Sequence, residues 1–171
     1  QVINTYKEAK DSGAEGILAF NIIANSNDLL SNLVADIGWM DNIEEDVVLG
    51  KYVKFRFGTA CQKEMGESLK CYIDSIDDGL KLVGGGTQLI AESHLRSRLD
   101  KGESLEKVKD ELAVYEQKLL LAEKAKSIAE SCQNKMISAQ FYEKYLFEVR
   151  FVILRLQGII SFCKSCLSNN N

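Results

Sequence analysis

The residues of this chain that could support acid–base or nucleophilic chemistry centre on its single histidine, His94. Every Ser-His-acid or Cys-His arrangement would have to use it, because the nucleophile in these mechanisms needs a base to accept its proton. His94 lies in the charged segment 92–98, which is typical of a solvated helix surface. We therefore expect it to be an ordinary surface residue, and we expect a protein that is not an enzyme.

A second candidate for chemistry is the CxxC motif formed by Cys163 and Cys166. A structural zinc site needs a second pair of ligands, and Cys61 and Cys71 do not have the required spacing. A redox-active CxxC motif usually begins a helix, where the helix N-terminus lowers the pKa of the thiol, whereas this motif ends a helical pattern. We therefore predict neither a metal nor a cofactor.

The same four cysteines, Cys61, Cys71, Cys163 and Cys166, are the disulfide candidates. On helices of standard rise, the first two are about 15 Å apart and the last two about 4.5 Å apart. A bridge needs Cα atoms within about 7 Å, so two straight helices cannot join both members of one pair to both members of the other. We expect one or two bridges at most. The fifth cysteine, Cys132, falls on an apolar stripe and is interpreted, like Cys163, as a small buried hydrophobic residue.

Two further segments resemble ligand-binding loops only superficially. Segment 74–79 contains three aspartates, but Gly85 stands where a calcium loop needs its bidentate acid. The glycines at 84–86 are followed by no lysine, so they do not match a phosphate-binding loop. They indicate a helix end or a hinge instead.

Three residues are candidates for binding: Trp39, Arg150 and Arg155. Trp39 lies in a predicted connection between helices, where an aromatic side chain either covers the edge of the core or meets a partner. Both arginines lie in the most apolar helical segment. They either line its exposed strip and extend over the core edge, or pair with an acid inside the bundle, or meet the carboxylate or phosphate headgroup of a bound amphiphile.

The elements that must position these residues are helices. Apolar residues recur at steps of three or four from Ser104 to Leu167, which puts them on one helix face that must be buried. One helix over this segment would be about 95 Å long, although a compact domain of this length has a radius of gyration of about 15 Å. Weak helix formers between Ser131 and Ser138 favour a hairpin of 104–133 and 138–167, with the second arm at the centre of the bundle. One very long helix is the alternative.

The rest of the chain also has helical spacing. We predict two short helices in 1–37, a longer helical segment over 43–83 and a short helix over 87–99. Residues 51–57 also alternate as a strand would, but a lone strand has no partner, so a helix is favoured there. The chain has no proline to interrupt a helix. We predict an all-α, single-domain bundle of about four to six helices over 1–171, with a frayed tail at 168–171.

Composition restricts the possible partners and location. A net charge of -4 argues against nucleic-acid binding, which needs a concentrated basic surface. The most apolar window, 141–163, contains five charged residues, so no transmembrane span is expected. The sequence begins at Gln1, as mature secreted proteins often do, which favours secretion over a cytoplasmic location.

Three classes of function remain. The first is a non-enzymatic interaction protein, of the secreted effector or factor type, that binds a protein partner; the lack of a catalytic constellation favours it. The second is a bundle that binds an apolar small molecule or lipid, or acts on membranes, supported by the very apolar window 141–163 and the glycines at 84–86. The third is an enzyme that uses carboxylates alone. A coiled-coil homodimer fits less well, because Tyr115, Tyr142, Cys132 and Cys163 are poor residues for its seam.

Overall fold

The chain folds into helices in the computed structural model, which describes residues 8–9, 11–14, 44–76 and 104–168. Within these ranges the helices are α1 (Glu45–Arg56), α2 (Gln62–Ile76), α3 (Leu105–Ser131) and α4 (Ala139–Ser168), and no strand is present. This confirms the all-α prediction and the choice of a helix for 51–57. The helices predicted in 1–37, apart from residues 8–9 and 11–14, the helix predicted in 87–99, the glycines at 84–86 and the tail residues 169–171 lie outside the described residues. Ser168, which was predicted to belong to the frayed tail, is the last residue of α4.

Helices α3 and α4 form a hairpin whose two arms each begin at a serine cap. The Ser104 hydroxyl accepts a hydrogen bond from the Lys107 amide, and the Ser138 hydroxyl accepts one from the Phe141 amide, each at 3.4 Å. These bonds satisfy backbone donors that an α-helix leaves free at its start. A 3₁₀ turn (Gln133–Lys135) lies between the arms. The predicted break between Ser131 and Ser138 is therefore confirmed, and the single long helix is not formed.

Of the segment predicted as one helical unit over 43–83, the described residues 44–76 form two helices, separated at Gly58. Its φ of 92° lies in the left-handed region, and its amide donates to the Val53 and Lys54 carbonyls, both at 3.2 Å. A Cβ atom at this position would lie 2.6 Å from Cγ2 of Ile137. Glycine is therefore required here, both to end α1 and to let the α3–α4 connection approach.

Helix α3 lies between α2 and α4 and packs along both of them. Its inner face carries small residues, Ala122, Ala125 and Ala129, which are fully buried and let both neighbours approach closely. Within the described part of the chain α3 is therefore the central helix, whereas the sequence analysis expected the second arm of the hairpin, now α4, to be central. The helix with two close neighbours is therefore α3, which has small side chains on its inner face, and not α4, which has the larger number of apolar side chains.

The described core is continuous from α1 to α4. Its largest fully buried apolar side chains are Met65, Leu156, Val53, Val108, Val149 and Val152. They come from all four helices, at the helical spacing that the sequence shows, so each helix contributes one apolar face to a shared interior.

Candidate functional site

A hydrogen-bonded group at the middle of the core sets the register of three helices. The Ser68 hydroxyl of α2 is 2.6 Å from the Ala125 carbonyl oxygen of α3 and 2.8 Å from the Tyr145 hydroxyl of α4. A carbonyl oxygen only accepts, so Ser68 gives its one proton to Ala125, and Tyr145 donates to Ser68. All the side-chain groups in this cluster are satisfied. Helices α2 and α3 run antiparallel at this cluster, and Ser68 lies at the same level as Ala125.

Two turns further along α2 and two turns back along α3, this register brings Ser75 level with Lys118. Lys118 is 8 % exposed, and its Nζ atom has no hydrogen-bond partner among the described residues. Arg155 of α4 lies about one turn beyond this level. It is 4 % exposed, and its Nε and Nη1 atoms likewise have no partner among the described residues. Two buried cations thus lie towards the same end of the bundle, where α2 ends.

The environment of Arg155 opposes its charge. Burial lowers the pKa of its guanidinium, and the nearby phenol of Tyr115 raises it by less. An arginine normally keeps its charge in a protein, so the cost of burial is met by a hydrogen-bonded anion or is left as a loss of stability. Either an acidic group or a bound anion would satisfy the free nitrogen atoms. Pairing with an acid or with an anionic headgroup is among the alternatives predicted for Arg155 from the sequence.

Arg150 is in a different environment from Arg155. It is on the exposed side of α4, and its Nη2 is 3.2 Å from Oε1 of Glu130 in α3, which also lies 3.8 Å from Nζ of Lys126. Exposed ion pairs of this kind contribute little to stability. The structure therefore separates the two arginines that the sequence grouped, with Arg150 at the surface and Arg155 in the interior.

Next to Arg150, α4 carries a row of exposed apolar side chains. Phe147 is 69 % exposed, Phe151 51 % and Leu154 66 %. Steps of four and three place them on one side of the helix, together with Arg150. We call these four residues the outer face of α4. The three apolar residues were not predicted from the sequence, because periodicity does not show which of two apolar faces of a helix is buried. The high apolar content of 141–163 was the one sequence feature that could have indicated them.

An open groove of about 730 Å³ lies between α1 and α2. Most of its lining residues are polar or charged, and Lys70 forms an ion pair with Asp46 across it. The Gln62 side chain donates to the Gly50 carbonyl oxygen at 3.3 Å. These polar groups therefore bond to one another, and none of the groove's lining residues is a histidine or a cysteine. We regard the groove as a weaker candidate than the outer face of α4.

All five cysteines are free thiols, and Cys166 is the most exposed of them. The structure therefore contains no bridge among Cys61, Cys71, Cys163 and Cys166, and the expectation of at most one or two bridges stays a prediction. Cys61 lies close enough to Cys132 to raise the pKa of the Cys132 thiol. Cys61 immediately precedes α2 and Cys132 caps the end of α3.

Two of the residues considered in the sequence analysis, His94 and Trp39, lie outside the described residues. Within the described ranges, no three or more histidine, cysteine or acidic side chains are grouped as metal ligands. The helices described there also lack an apolar stretch long enough to cross a bilayer. Comparison of the chain with protein-family models, curated proteins and solved structures gives no match in any of the three.

Proposed function

We propose that this protein is a non-enzymatic helical bundle that binds a protein partner through the outer face of α4. The observation that carries this proposal is the row of Phe147, Phe151 and Leu154, each more than half exposed on one side of a helix. Isolated apolar side chains are common on protein surfaces, but contiguous ones are typical of interaction sites.

The chemistry of the outer face suits a protein groove. Residues at positions i, i+3, i+4 and i+7 of a helix are the anchors that a helix inserts into an apolar groove, and Phe147, Arg150, Phe151 and Leu154 have this spacing. Aromatic residues and arginine are also enriched in the cores of interfaces. The partner we propose therefore has an apolar groove with an acidic group at its rim that replaces Glu130 beside Arg150.

The test is the double variant Phe147→Ser/Phe151→Ser, with Leu120→Ser as its matched control. Leu120 is 67 % exposed on α3, so its substitution removes an exposed apolar side chain from another helix. Photo-crosslinking from position 154 in extracts of the source organism should label one protein. We expect that label to fall at least tenfold in the double variant, because each lost aromatic anchor costs about 2 kcal/mol or more. The control should keep the label.

Equal labelling by the double variant and the wild type would contradict the proposal. Light scattering of the purified protein provides an independent check on the partner. If the wild type and the Leu120→Ser control are dimers and the double variant is a monomer, the outer face pairs with a second copy of this chain. That result would overturn the proposed heterologous partner.

A second candidate function is the binding of an anionic amphiphile, and the two buried cations favour it. Lys118 and Arg155 have unpartnered nitrogen atoms towards one end of the bundle and are surrounded by apolar residues of the core. A carboxylate or phosphate headgroup would supply the missing acceptors, and its alkyl chain would extend among apolar side chains.

Native mass spectrometry distinguishes this candidate from the first. A bound amphiphile would add a few hundred daltons to the native mass, and the added mass would be lost on denaturation. Arg155→Met should abolish it, whereas the control Arg150→Met should retain it, because Arg150 is exposed and already paired with Glu130. A native mass equal to the chain mass, for protein purified without detergent, would argue against this second function.

A further inference from the structure

The end of the bundle opposite the buried cations brings two cysteines together. Starting from the bonded pair Ser68 and Ala125, two turns back along α2 and two turns forward along α3 lead to Cys61 and Cys132. The hydrogen bond from the Ile137 amide to the Phe57 carbonyl oxygen lies beyond both cysteines and shows that the two segments run antiparallel. The register therefore places the two cysteines directly opposite each other.

The side chains confirm what the register indicates. Cys61 and Cys132 are only 2 % and 1 % exposed, and both belong to the same core cluster. The Ser131 hydroxyl lies 3.8 Å from the Cys132 sulfur. Burial first, and the contact with Cys61 second, raise the pKa of Cys132 to about 11, with a smaller contribution from the charge of Glu64.

The backbone around this pair is also well defined. The Ile137 amide donates to the Phe57 carbonyl oxygen at 3.3 Å, which joins the α3–α4 connection to the end of α1. Gly58 permits this contact, since a larger residue would collide with Ile137. The two segments that carry the cysteines are thus held against each other by contacts that do not involve sulfur.

We propose that Cys61 and Cys132 are a redox-modifiable pair that closes into a disulfide joining the start of α2 to the end of α3. The oxidant is a small disulfide such as glutathione disulfide. One cysteine, as thiolate, attacks a glutathione sulfur, the glutathione S–S bond breaks, and one glutathione leaves. The other cysteine attacks the protein sulfur of this mixed disulfide and releases the second glutathione. The two cysteine protons end on the two glutathiones, so the protein loses two electrons and glutathione disulfide gains two.

Burial determines how the reaction is controlled. Only a thiolate reacts, and both thiols are covered, so exchange requires the 132–138 connection to separate from residues 57–61. Once formed, the bridge closes a loop of about 70 residues in the unfolded chain, which stabilises the folded state. The pair therefore reacts slowly, and its product resists opening. This inference does not depend on the proposed function.

The test is to equilibrate the folded, reduced protein with glutathione buffers of increasing oxidising strength and to map bridges by mass spectrometry of unreduced peptides. We expect a Cys61–Cys132 peptide as the main product, with a loss of about two daltons. The melting temperature should rise by about 10 °C, reversibly with dithiothreitol. Cys132→Ser should abolish both changes, whereas Cys166→Ser, which alters the most exposed thiol, should leave them intact.

Two results would overturn the proposal. One is that the folded protein stays fully reduced in a glutathione buffer in which the denatured chain forms disulfide bridges. The other is a main bridge between cysteines other than these two. The melting curve of reduced Cys132→Ser shows whether that variant is folded. If it is not, Cys61→Ser replaces it. The absence of the bridge in folded Cys61→Ser supports the proposal only when the wild type forms the bridge under the same conditions.

Discussion

The core of this bundle contains two buried polar clusters that differ in whether their hydrogen-bonding groups are satisfied. In the first, Ser68, Tyr145 and the Ala125 carbonyl form a complete chain of donors and acceptors across three helices. In the second, Lys118 and Arg155 leave charged nitrogen atoms without a partner among the described residues. The residues of both clusters are buried in the described core, so burial alone does not explain the difference.

This difference separates a structural role from a binding role. A complete buried network stabilises one register of the helices and needs nothing from outside. A buried charge without a partner costs stability, and proteins keep such groups mainly where they meet an anion or carry out a function. The first cluster therefore explains why α2, α3 and α4 pack in this register. At the second cluster, a bound anion would satisfy buried charges and so stabilise the protein.

The largest expected effect is at Arg155. In ligand-free protein, Arg155→Met should raise the free energy of unfolding by about 1–4 kcal/mol, because an apolar side chain of similar length removes an uncompensated buried charge. Urea denaturation measures this change. Arg150→Met is the control and should change stability by less than about 1 kcal/mol. A large loss of stability in Arg155→Met would show that the guanidinium has hydrogen-bond partners in solution. The second cluster would then be hydrogen-bonded like the first.

The next effect is at Ser68. Ser68→Ala should lower the free energy of unfolding by about 1–3 kcal/mol, because it leaves the buried Tyr145 hydroxyl without its acceptor. Removing both partners should cost less than the sum of the single changes, so the double variant with Tyr145→Phe measures their coupling. Strict additivity of the two substitutions would show that the network is not formed in solution.

A smaller effect concerns alkaline pH. Tyr72 packs edge-to-face on Tyr145 at 5.7 Å, and burial, assisted by the charge of Glu148, raises its pKa above its ordinary value of 10.0. Its contribution to stability is fully present below pH 10 and is lost as the pH rises further, because the unfolded tyrosine then ionises while the folded one stays protonated. Between pH 10 and 11, Tyr72→Phe should therefore lose about 1 kcal/mol less than the wild type. Parallel losses in both proteins would contradict this.

The smallest effect is at the surface. Glu130→Gln removes the partner of Arg150 and should change the free energy of unfolding by less than about 1 kcal/mol. The change should shrink further in 0.5 M salt, since exposed charges are screened. A salt-independent loss of several kcal/mol would mean that this ion pair is buried in solution and would remove Arg150 from the outer face of α4.

Much of the described helical framework was predictable from local pattern. The apolar steps of three and four located α2, α3 and α4, and weak helix formers between Ser131 and Ser138 located the turn of the hairpin. Ser104 was recognised as the start of α3 because capping depends on residues within one turn. The break at Gly58 was missed, since its requirement for glycine comes partly from contact with the distant Ile137.

The sequence by itself therefore determined the helices and the hairpin, because backbone hydrogen bonding and apolar periodicity act between residues a few positions apart. Only the tertiary structure decided that Arg155 is buried while Arg150 is exposed, that Phe147, Phe151 and Leu154 face outward, and that Cys61 meets Cys132. Periodicity shows that a helix has a face to bury, but the side chains of the neighbouring helices select which face is covered. The binding and redox properties proposed for this protein depend on that selection.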